Sequence, residues 1–179
     1  MQQKYWTNKI GNLEVLLTAE QIDKEVQNLA LQINRDYKNK PLMVVMLYNG
    51  SFMFAADLLR AIKIPITTYG VTISSYSGKV STENPKYDKH QLPPCEGKHV
   101  LLIEDIVEGG HTVDTIQREF LDKDCIDVKI CSFLDKPCKR KIPVTVDYVG
   151  VTVTDLFVVG YGLDYNHQYR QLPFIGYIK

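Results

Sequence analysis

Two segments of the chain share one order of features: an unbroken apolar run, a short loop that contains glycine, and a stretch with helical periodicity. The first, from Leu42, reads LMVVML–YNGS–FMFAADLLRAI, and the second, from His99, reads HVLLI–EDIVEGGH–TVDTIQREFL. An apolar run without alternation predicts a strand that is buried on both faces. Such strands belong to parallel sheets covered by helices, in which ligands bind beyond the carboxyl ends of the strands. The two units therefore predict an α/β fold with both glycine loops at one edge of a mainly parallel sheet.

A further helix is predicted before the first of these units. Thr18 and Gln21 have the spacing of a capping box, in which each side chain bonds the backbone amide of the other residue. Apolar residues recur at helical spacing over residues 22–37, and Pro41 ends the region. Other strands are predicted around ITTYGVTI, VKICSFL, YVGVTV and LFVVGYGL, and the helix of the second unit over about residues 112–123. No linker divides the chain, which predicts one domain over residues 1–179.

The segment from residue 74 to residue 97 differs from the rest of the chain. It is rich in Ser, Pro, Lys and Asn and has no apolar periodicity, which predicts a long loop. Loops of this length are often lids or binding loops, and otherwise they are disordered excursions at the surface. Composition leaves both alternatives open.

Composition narrows the classes of partner. Lys+Arg and Asp+Glu both total 21, so no basic excess is available to hold nucleic acid. The four cysteines lack C-x-x-C spacing, which favours free thiols in a reducing compartment over a zinc site. No apolar run approaches membrane-spanning length, and the first residues have no signal-peptide pattern. We therefore predict a cytoplasmic protein with neither a nucleic-acid nor a membrane partner.

The second glycine loop has the chemistry of a phosphate site. Gly109 and Gly110 let backbone amides approach an anion closely, and Thr112 is predicted to open a helix, where N–H groups and the helix dipole favour negative charge. Neither the G-x-x-x-x-G-K-[ST] nor the G-x-G-x-x-G motif is present. Glu104 and Asp105, just before the loop, suit a divalent cation or a vicinal diol. A diol-binding carboxylate pair next to a phosphate-binding loop indicates a ribose phosphate as the ligand. The two carboxylates alone would indicate only an acidic strand end.

These residues carry a resemblance to a known family. VLLIEDIVEGGHT resembles the phosphoribosyl-pyrophosphate signature of the type I phosphoribosyltransferases. Four further segments resemble the hypoxanthine-guanine branch of that family, in the same order along residues 42–173: LYNGSFMFAADLLR, SSYSG, LDKP and LFVVGYGLDYNHQYRQLP. The resemblance implies the fold of that family, with a core over about residues 18–150 and a small hood from N-terminal residues and about residues 151–179.

The resemblance also implies a role for each matching residue. The groups are ribose and phosphate binding (Glu104, Asp105, Glu108, Gly109, Gly110, His111, Thr112), Mg²⁺ binding (Glu104, Asp105, Asp164), pyrophosphate binding (Asn49, Gly50, Arg170), a lid (Ser75, Tyr76) and purine binding (Lys136, Phe157, Val158, Asp164). Glu108 and Arg170 are the implied catalytic residues. Lys139, Arg140 and Lys141, which follow the implied purine-binding lysine, are interpreted as surface charge.

The implied reaction transfers the 5-phosphoribosyl group from phosphoribosyl pyrophosphate to N9 of a 6-oxopurine, in a homodimer or homotetramer. The chain departs from the family pattern at four positions: Glu108 stands for the usual Asp, Gly109 for Thr, His111 for a common Lys and Asn49 for Lys or Arg. These departures leave one alternative, a regulator on the same fold that senses phosphoribosyl pyrophosphate or a nucleotide without catalysis.

Overall fold

A computed structural model describes residues 13–77 and 80–178, with the backbone alone described at residues 74–77 and 80–84. In chain order the elements are β1 (Leu13–Leu17), α1 (Ala19–Asp36), β2 (Leu42–Tyr48), α2 (Phe52–Ala61), β3 (Ile66–Ser77), β4 (Val80–Tyr87), β5 (His99–Val107), α3 (His111–Leu121), β6 (Asp127–Asp135), β7 (Tyr148–Thr152), β8 (Val158–Val159) and β9 (Ile175–Ile178), with short 3₁₀ turns at Lys89–Gln91 and Pro137–Lys139.

The main sheet has six strands in the order β4-β3-β2-β5-β6-β7, and all neighbours are parallel except β3 and β4. Alternate residues of β2 enter two separate cores, as expected for a strand buried on both faces. Val44 and Met46 pack with α1 and α2, whereas Met43 and Val45 pack with α3. The predicted α/β class with a mainly parallel sheet is confirmed.

A second sheet forms the hood. It has three antiparallel strands in the order β1-β9-β8, so it joins the start of the described chain to its end. The strand predicted from LFVVGYGL is much shorter than expected, because β8 contains only Val158 and Val159 before the chain turns at Gly160. Residues 1–12, which the prediction also assigned to the hood, lie outside the described residues.

The prediction for the first helix is confirmed in detail. The Gln21 amide bonds Thr18 Oγ1 at 3.3 Å, and the Thr18 amide bonds Gln21 Oε1 at 2.9 Å, which closes the capping box. Ile22, Val26 and Ile33 are among the residues that α1 buries. None of the helices in the described part of the chain is long and apolar enough to cross a membrane.

The prediction of a long loop over residues 74–97 is wrong for residues 74–77 and 80–87, which lie in strands. The backbone of β3 continues to Ser77 and pairs with β4 in an antiparallel hairpin. The hairpin is formed by backbone hydrogen bonds, which polar residues make as well as apolar ones. Its sequence therefore has no apolar periodicity from which the strands could be predicted. Pro85 is accommodated because β4 is an edge strand, where a missing N–H costs no ladder hydrogen bond.

Candidate active site

The edge at the carboxyl ends of the parallel strands gathers most of the predicted residues. At this edge β5 extends further than β2. The pairing of β5 with β2 ends at Ile103, whereas the pairing of β5 with β6 continues to Val107. Glu104 and Asp105 therefore lie within β5, not at its last residue as predicted, and they are beyond the end of its β2 ladder. The Asp105 carboxylate lies so close to Gly50 that a β-carbon on Gly50 would overlap it. The two glycine loops open side by side, as the repeated units predicted.

The adjacent carboxylates of Glu104 and Asp105 repel each other. Glu104 is 9% exposed, and one of its oxygens accepts the Asp105 amide at 3.1 Å. Burial, followed by repulsion from Asp105, raises the pKa of Glu104 well above its ordinary value. A partner that brings positive charge or hydroxyl donors would relieve this repulsion, so the pair is suited to a cation or a diol.

The loop between β5 and α3, which is predicted to bind phosphate and is called the phosphate loop below, turns at Gly110. This residue is the N-cap of α3 and has φ 95°, a left-handed conformation in which a side chain is strained. A β-carbon there would also lie 2.9 Å from Val144 Cγ1 and 3.3 Å from Ile142 Cγ1. The first helical hydrogen bond is donated by the Asp114 amide to the Gly110 carbonyl at 3.0 Å. The turn before it is where a helix offers N–H groups to an anion.

Two details of the predicted loop need correction. The helix begins at His111, so Thr112 is its second residue and does not cap it. Gly109 is not required by the backbone: its φ lies outside the left-handed region, and the atom nearest to an added β-carbon would be His111 Cδ2 at 3.5 Å. The steric demand for glycine therefore falls on Gly110 alone.

His111 has an unusual environment for a polar side chain at the start of a helix. Its Nε2 is buried and has no hydrogen-bond partner among the described residues. Burial without a partner costs free energy. A phosphate bound at this loop would give that nitrogen an acceptor, and this agrees with the implied phosphate-binding role.

Lys136 forms the most buried charged contact at this edge. Its side chain is 4% exposed, and Nζ contacts Glu108 Oε1 and donates to the Leu156 carbonyl at 2.8 Å. Its own amide donates to the Val107 carbonyl at 3.0 Å, which fixes the lysine beside the end of β5. Lys136 is therefore not a solvated surface lysine. Glu108 and Lys136 lie together although 28 residues separate them in the sequence.

Arg140 is a residue whose position the sequence interpretation missed. Predicted as surface charge, it instead lies beneath the phosphate loop, where NH1 donates to the Glu108 carbonyl at 2.8 Å and NH2 pairs with Asp135. The side chain is 16% exposed, compared with 49% for neighbouring Lys139, which pairs with Asp155. The Lys141 amide also supports the loop through the Gly109 carbonyl at 3.0 Å.

The hood brings a third group of residues to the same edge. Gly162 has φ 98° and packs so tightly on the Gly50 carbonyl that a β-carbon would overlap it. Arg170 NH1 donates to the Gly162 carbonyl at 2.6 Å, and NH2 pairs with Asp164 at 2.8 Å. Asp164 also accepts the His167 amide at 2.8 Å. The loop at Gly50, which is predicted to bind pyrophosphate and is called the pyrophosphate loop below, therefore forms one continuous set of contacts with Asp164 and Arg170.

The remaining predicted residues have different environments. Phe157 is 55% exposed and makes an edge contact with Tyr165 at a centroid distance of 5.5 Å, whereas Val158 is buried in β8. Asn49 is exposed and follows a cis peptide bond from Tyr48. Ser75 and Tyr76 lie in β3, and the lid predicted for them depends on side chains outside the described part.

The fold and its ligand edge define an α/β protein that binds a phosphorylated small molecule at the carboxyl ends of parallel strands. A family model described as the phosphoribosyl transferase domain matches residues 13–166. The chain is 41% identical over 167 residues to a hypoxanthine-guanine phosphoribosyltransferase of Staphylococcus aureus, covering 93% of each chain. It is 36% identical over 172 residues to a hypoxanthine phosphoribosyltransferase of Haemophilus influenzae, covering 94% of this chain and 96% of the relative.

A solved structure agrees with the sequence relatives. A crystal structure of a hypoxanthine phosphoribosyltransferase from Staphylococcus aureus superposes with a TM-score of 0.89 at 40% identity, covering 96% of this chain and 94% of that one. The chain belongs to the phosphoribosyltransferase family, and the predicted fold class is confirmed.

Proposed function

We propose that this protein is a purine-salvage enzyme that transfers the 5-phosphoribosyl group from phosphoribosyl pyrophosphate to N9 of hypoxanthine or guanine. The products are IMP or GMP and pyrophosphate. The observation that carries the proposal is the buried Lys136 ammonium beside the Glu108 carboxylate, directly adjoining the phosphate loop. The names of the relatives, which match this chain over more than nine-tenths of its length, support the same reaction.

Lys136 and Glu108 match one edge of a 6-oxopurine. The 6-oxygen of such a base accepts a hydrogen bond, and the neighbouring N7 carries a proton when N9 has its lone pair free. Two hydrogen bonds engage the Lys136 ammonium within the described structure, and an ammonium has three donors. The third can bind the 6-oxygen, whereas the 6-amino group of adenine would present a donor to a donor. Lys136 therefore favours hypoxanthine and guanine over adenine.

Glu108 is the proposed general base. The N9 lone pair forms the new bond to ribose C1, the bond from C1 to the pyrophosphate oxygen breaks, and its electron pair leaves with pyrophosphate. The N7 proton passes to Glu108, whose carboxylate is oriented by its contact with Lys136 before the transfer. Glu extends one methylene further than the usual Asp. Arg140, which bonds the Glu108 carbonyl, fixes the backbone from which that longer side chain extends.

The residues of the edge fit Mg²⁺, although no group of three candidate ligands occurs among the residues that the structure describes. Mg²⁺ is commonly bound by one or two carboxylates together with substrate phosphates and water, so three protein ligands are not needed. We propose that Glu104 and Asp105 hold the ribose hydroxyls and one Mg²⁺, and that Asp164 holds a second. When bound, the metal neutralises charge on the departing pyrophosphate.

Arg170 and the Gly50 loop are proposed to bind pyrophosphate. Arg170 is already oriented by the Gly162 carbonyl and by Asp164, and guanidinium groups bind phosphate through several donors at once. Asn49 provides an exposed amide where a cation is usual, so positive charge at this end comes mainly from Arg170 and metal. The hairpin that contains Ser75 and Tyr76 is proposed to close over the sugar, because excluding water protects a cationic transition state from hydrolysis.

The test is an assay of nucleotide formation from phosphoribosyl pyrophosphate and hypoxanthine or guanine with Mg²⁺. We expect turnover by the unaltered protein, slow turnover with nearly normal substrate binding for Glu108→Ala, and a raised KM for the purine in Lys136→Met. Lys139→Met is a matched control, because Lys139 is a half-exposed lysine in the same segment. Binding of phosphoribosyl pyrophosphate without any turnover would favour the regulator, for which no structural observation speaks.

The proposal also covers the domain organisation, the oligomeric state and the cellular location of the protein. We propose that the chain forms one domain with the core and hood boundaries given above, that it assembles as a homodimer or homotetramer, and that it works in the cytoplasm. Oligomers are usual in the family, and the four cysteines are free thiols, which suits a reducing compartment. Light scattering at working concentration tests the assembly, and a monomeric mass would contradict it.

A further inference from the structure

We propose that the hydrogen bond between Tyr161 and Asp57 positions the hood against the pyrophosphate loop, which makes both residues positioning residues for the reaction proposed above. The Tyr161 hydroxyl donates to Asp57 Oδ2 at 2.7 Å, across 104 residues of sequence. Neither residue belongs to the motifs' implied binding set. The inference rests on the proposed function, since the site that is positioned is the pyrophosphate site.

The bond joins the two parts of the chain that this site needs. Asp57 lies on α2, which begins at Phe52 directly after the Gly50 loop. Tyr161 lies between β8 and the segment that carries Asp164 and Arg170. The Tyr161–Asp57 bond therefore ties the arginine-bearing segment to the helix that follows the pyrophosphate loop.

Backbone contacts transmit the position of Tyr161 to Arg170. The next residue, Gly162, donates its amide to the Arg170 carbonyl at 2.9 Å and accepts from the Arg170 guanidinium at 2.6 Å. Gly162 also packs directly on the Gly50 carbonyl. A shift of Tyr161 would therefore move both Arg170 and the surface against Gly50, and a shift of about 1 Å at a reacting site can cost two orders of magnitude in rate.

Tyr161 is held in a conformation that it would not adopt by itself. Its φ is 51°, a left-handed value that is unfavourable for a residue with a side chain. Tyr161 is 7% exposed, its ring contacts Phe133 at a centroid distance of 5.2 Å, and its amide donates to the Leu172 carbonyl at 2.9 Å. Burial, followed by the bond to Asp57, raises the pKa of Tyr161 above its ordinary value, so the hydroxyl keeps its proton and remains a donor.

The acceptor has a fixed place as well. Asp57 Oδ1 contacts Arg60 one turn along α2, and Oδ2 accepts from Tyr161. One carboxylate therefore receives donors from its own helix and from the hood. Removing the tyrosine hydroxyl leaves the helix pair in place and breaks only the connection to the hood.

The experiment compares Tyr161→Phe with Tyr148→Phe. Tyr148 is the matched control, because its hydroxyl also donates to an aspartate (Asp36, at 3.1 Å), and it lies at the start of β7, an edge strand of the main sheet. We expect Tyr161→Phe to raise the KM for phosphoribosyl pyrophosphate and the Ki for pyrophosphate roughly tenfold, because the shift of Arg170 and of the surface against Gly50 weakens binding at this site. The KM for the purine should change less than the KM for phosphoribosyl pyrophosphate, because Lys136 and Glu108 belong to the core and only Phe157, Val158 and Asp164 belong to the hood.

Variants of the acceptor separate positioning from folding. Asp57→Asn keeps a carbonyl oxygen for the hydroxyl and should retain a nearly normal KM, whereas Asp57→Ala should match Tyr161→Phe. The double variant should be no worse than the poorer single variant, because both remove one interaction. Tyr148→Phe should lower Tm without changing either constant.

Calorimetric binding of phosphoribosyl pyrophosphate, measured in parallel, does not need turnover. If the unaltered protein binds this substrate but makes no nucleotide, the proposed function fails, while the affinities of the variants still test the positioning role. A loss of Tm in Tyr161→Phe with unchanged affinity and kinetics would overturn the inference. Equal kinetic losses in Tyr148→Phe would overturn it too.

Discussion

The adjacent glycines of the phosphate loop should respond in opposite ways to the same substitution. Gly110 has φ 95°, and an added β-carbon would lie 2.9 Å from Val144 Cγ1, whereas Gly109 has neither a left-handed φ nor an atom within 3.4 Å of that position. Gly110→Ala and Gly109→Ala add the same methyl group one residue apart. Each variant therefore serves as the control for the other.

The magnitudes follow from these environments. A left-handed conformation costs an alanine about 1–2 kcal/mol, and overpacking costs about 1–3 kcal/mol more. The free energy of unfolding of Gly110→Ala should therefore fall by roughly 2–5 kcal/mol. Gly109→Ala should gain about 0.4–1 kcal/mol, because alanine restricts the unfolded chain without straining the folded one.

Urea unfolding at pH 7, followed by circular dichroism, measures both differences, and thermal unfolding should show shifts of about 2–4 °C per kcal/mol. Gly110→Ala should also raise the KM for phosphoribosyl pyrophosphate, because the loop that binds its 5′-phosphate must move. Equal destabilisation of the two variants would refute the assignment of the steric demand to Gly110. So would a stable Gly110→Ala with unchanged kinetics.

Three other substitutions have defined outcomes. Gly50→Ala should displace the Asp105 carboxylate, because an added β-carbon would overlap it. The variant should lower kcat/KM for phosphoribosyl pyrophosphate at least about tenfold. Unchanged kinetics would contradict the contact between Gly50 and Asp105. Glu104→Gln should abolish turnover yet stabilise the unliganded protein. Because the folded pKa of Glu104 is raised, the native state binds more protons, and the unaltered protein loses stability as pH rises above the unfolded value of about 4.3. Urea unfolding from pH 4 to 8 should show an advantage of the variant that grows with pH, and a constant difference would contradict it. Arg140→Met should destabilise the protein by roughly 1–3 kcal/mol and raise the KM for phosphoribosyl pyrophosphate. Lys139→Met should leave the free energy of unfolding nearly unchanged, and equal effects of the two variants in urea would refute the distinction.

The main sheet could be predicted because its central strands are apolar without interruption. The runs LMVVML and HVLLI become β2 and β5, which are neighbours and parallel. The β3–β4 hairpin could not be predicted in the same way, because backbone hydrogen bonds form it and its polar side chains leave no period in the sequence.

Some residues of the candidate site could likewise be predicted from the sequence, and others could not. Residues within one motif, such as Glu104 and Gly110, could be located from local chemistry and resemblance. Arg140 could not, because Lys139 and Lys141 flank it with the same charge, and only Asp135 and the Glu108 carbonyl in the folded chain distinguish it. Contacts between distant segments have no local pattern, so the hydrogen bond between Tyr161 and Asp57 appears only in the structure.

One measurement tests the account most directly: chromatographic identification of the nucleotides formed from phosphoribosyl pyrophosphate, Mg²⁺ and an equimolar mixture of hypoxanthine, guanine, xanthine and adenine. The Lys136 ammonium and the Glu108 carboxylate predict IMP and GMP as products, no AMP, and loss of both products in Lys136→Met. Formation of AMP would contradict the assignment of Lys136 to the 6-oxygen. A mixture that yields no nucleotide would contradict the enzyme itself.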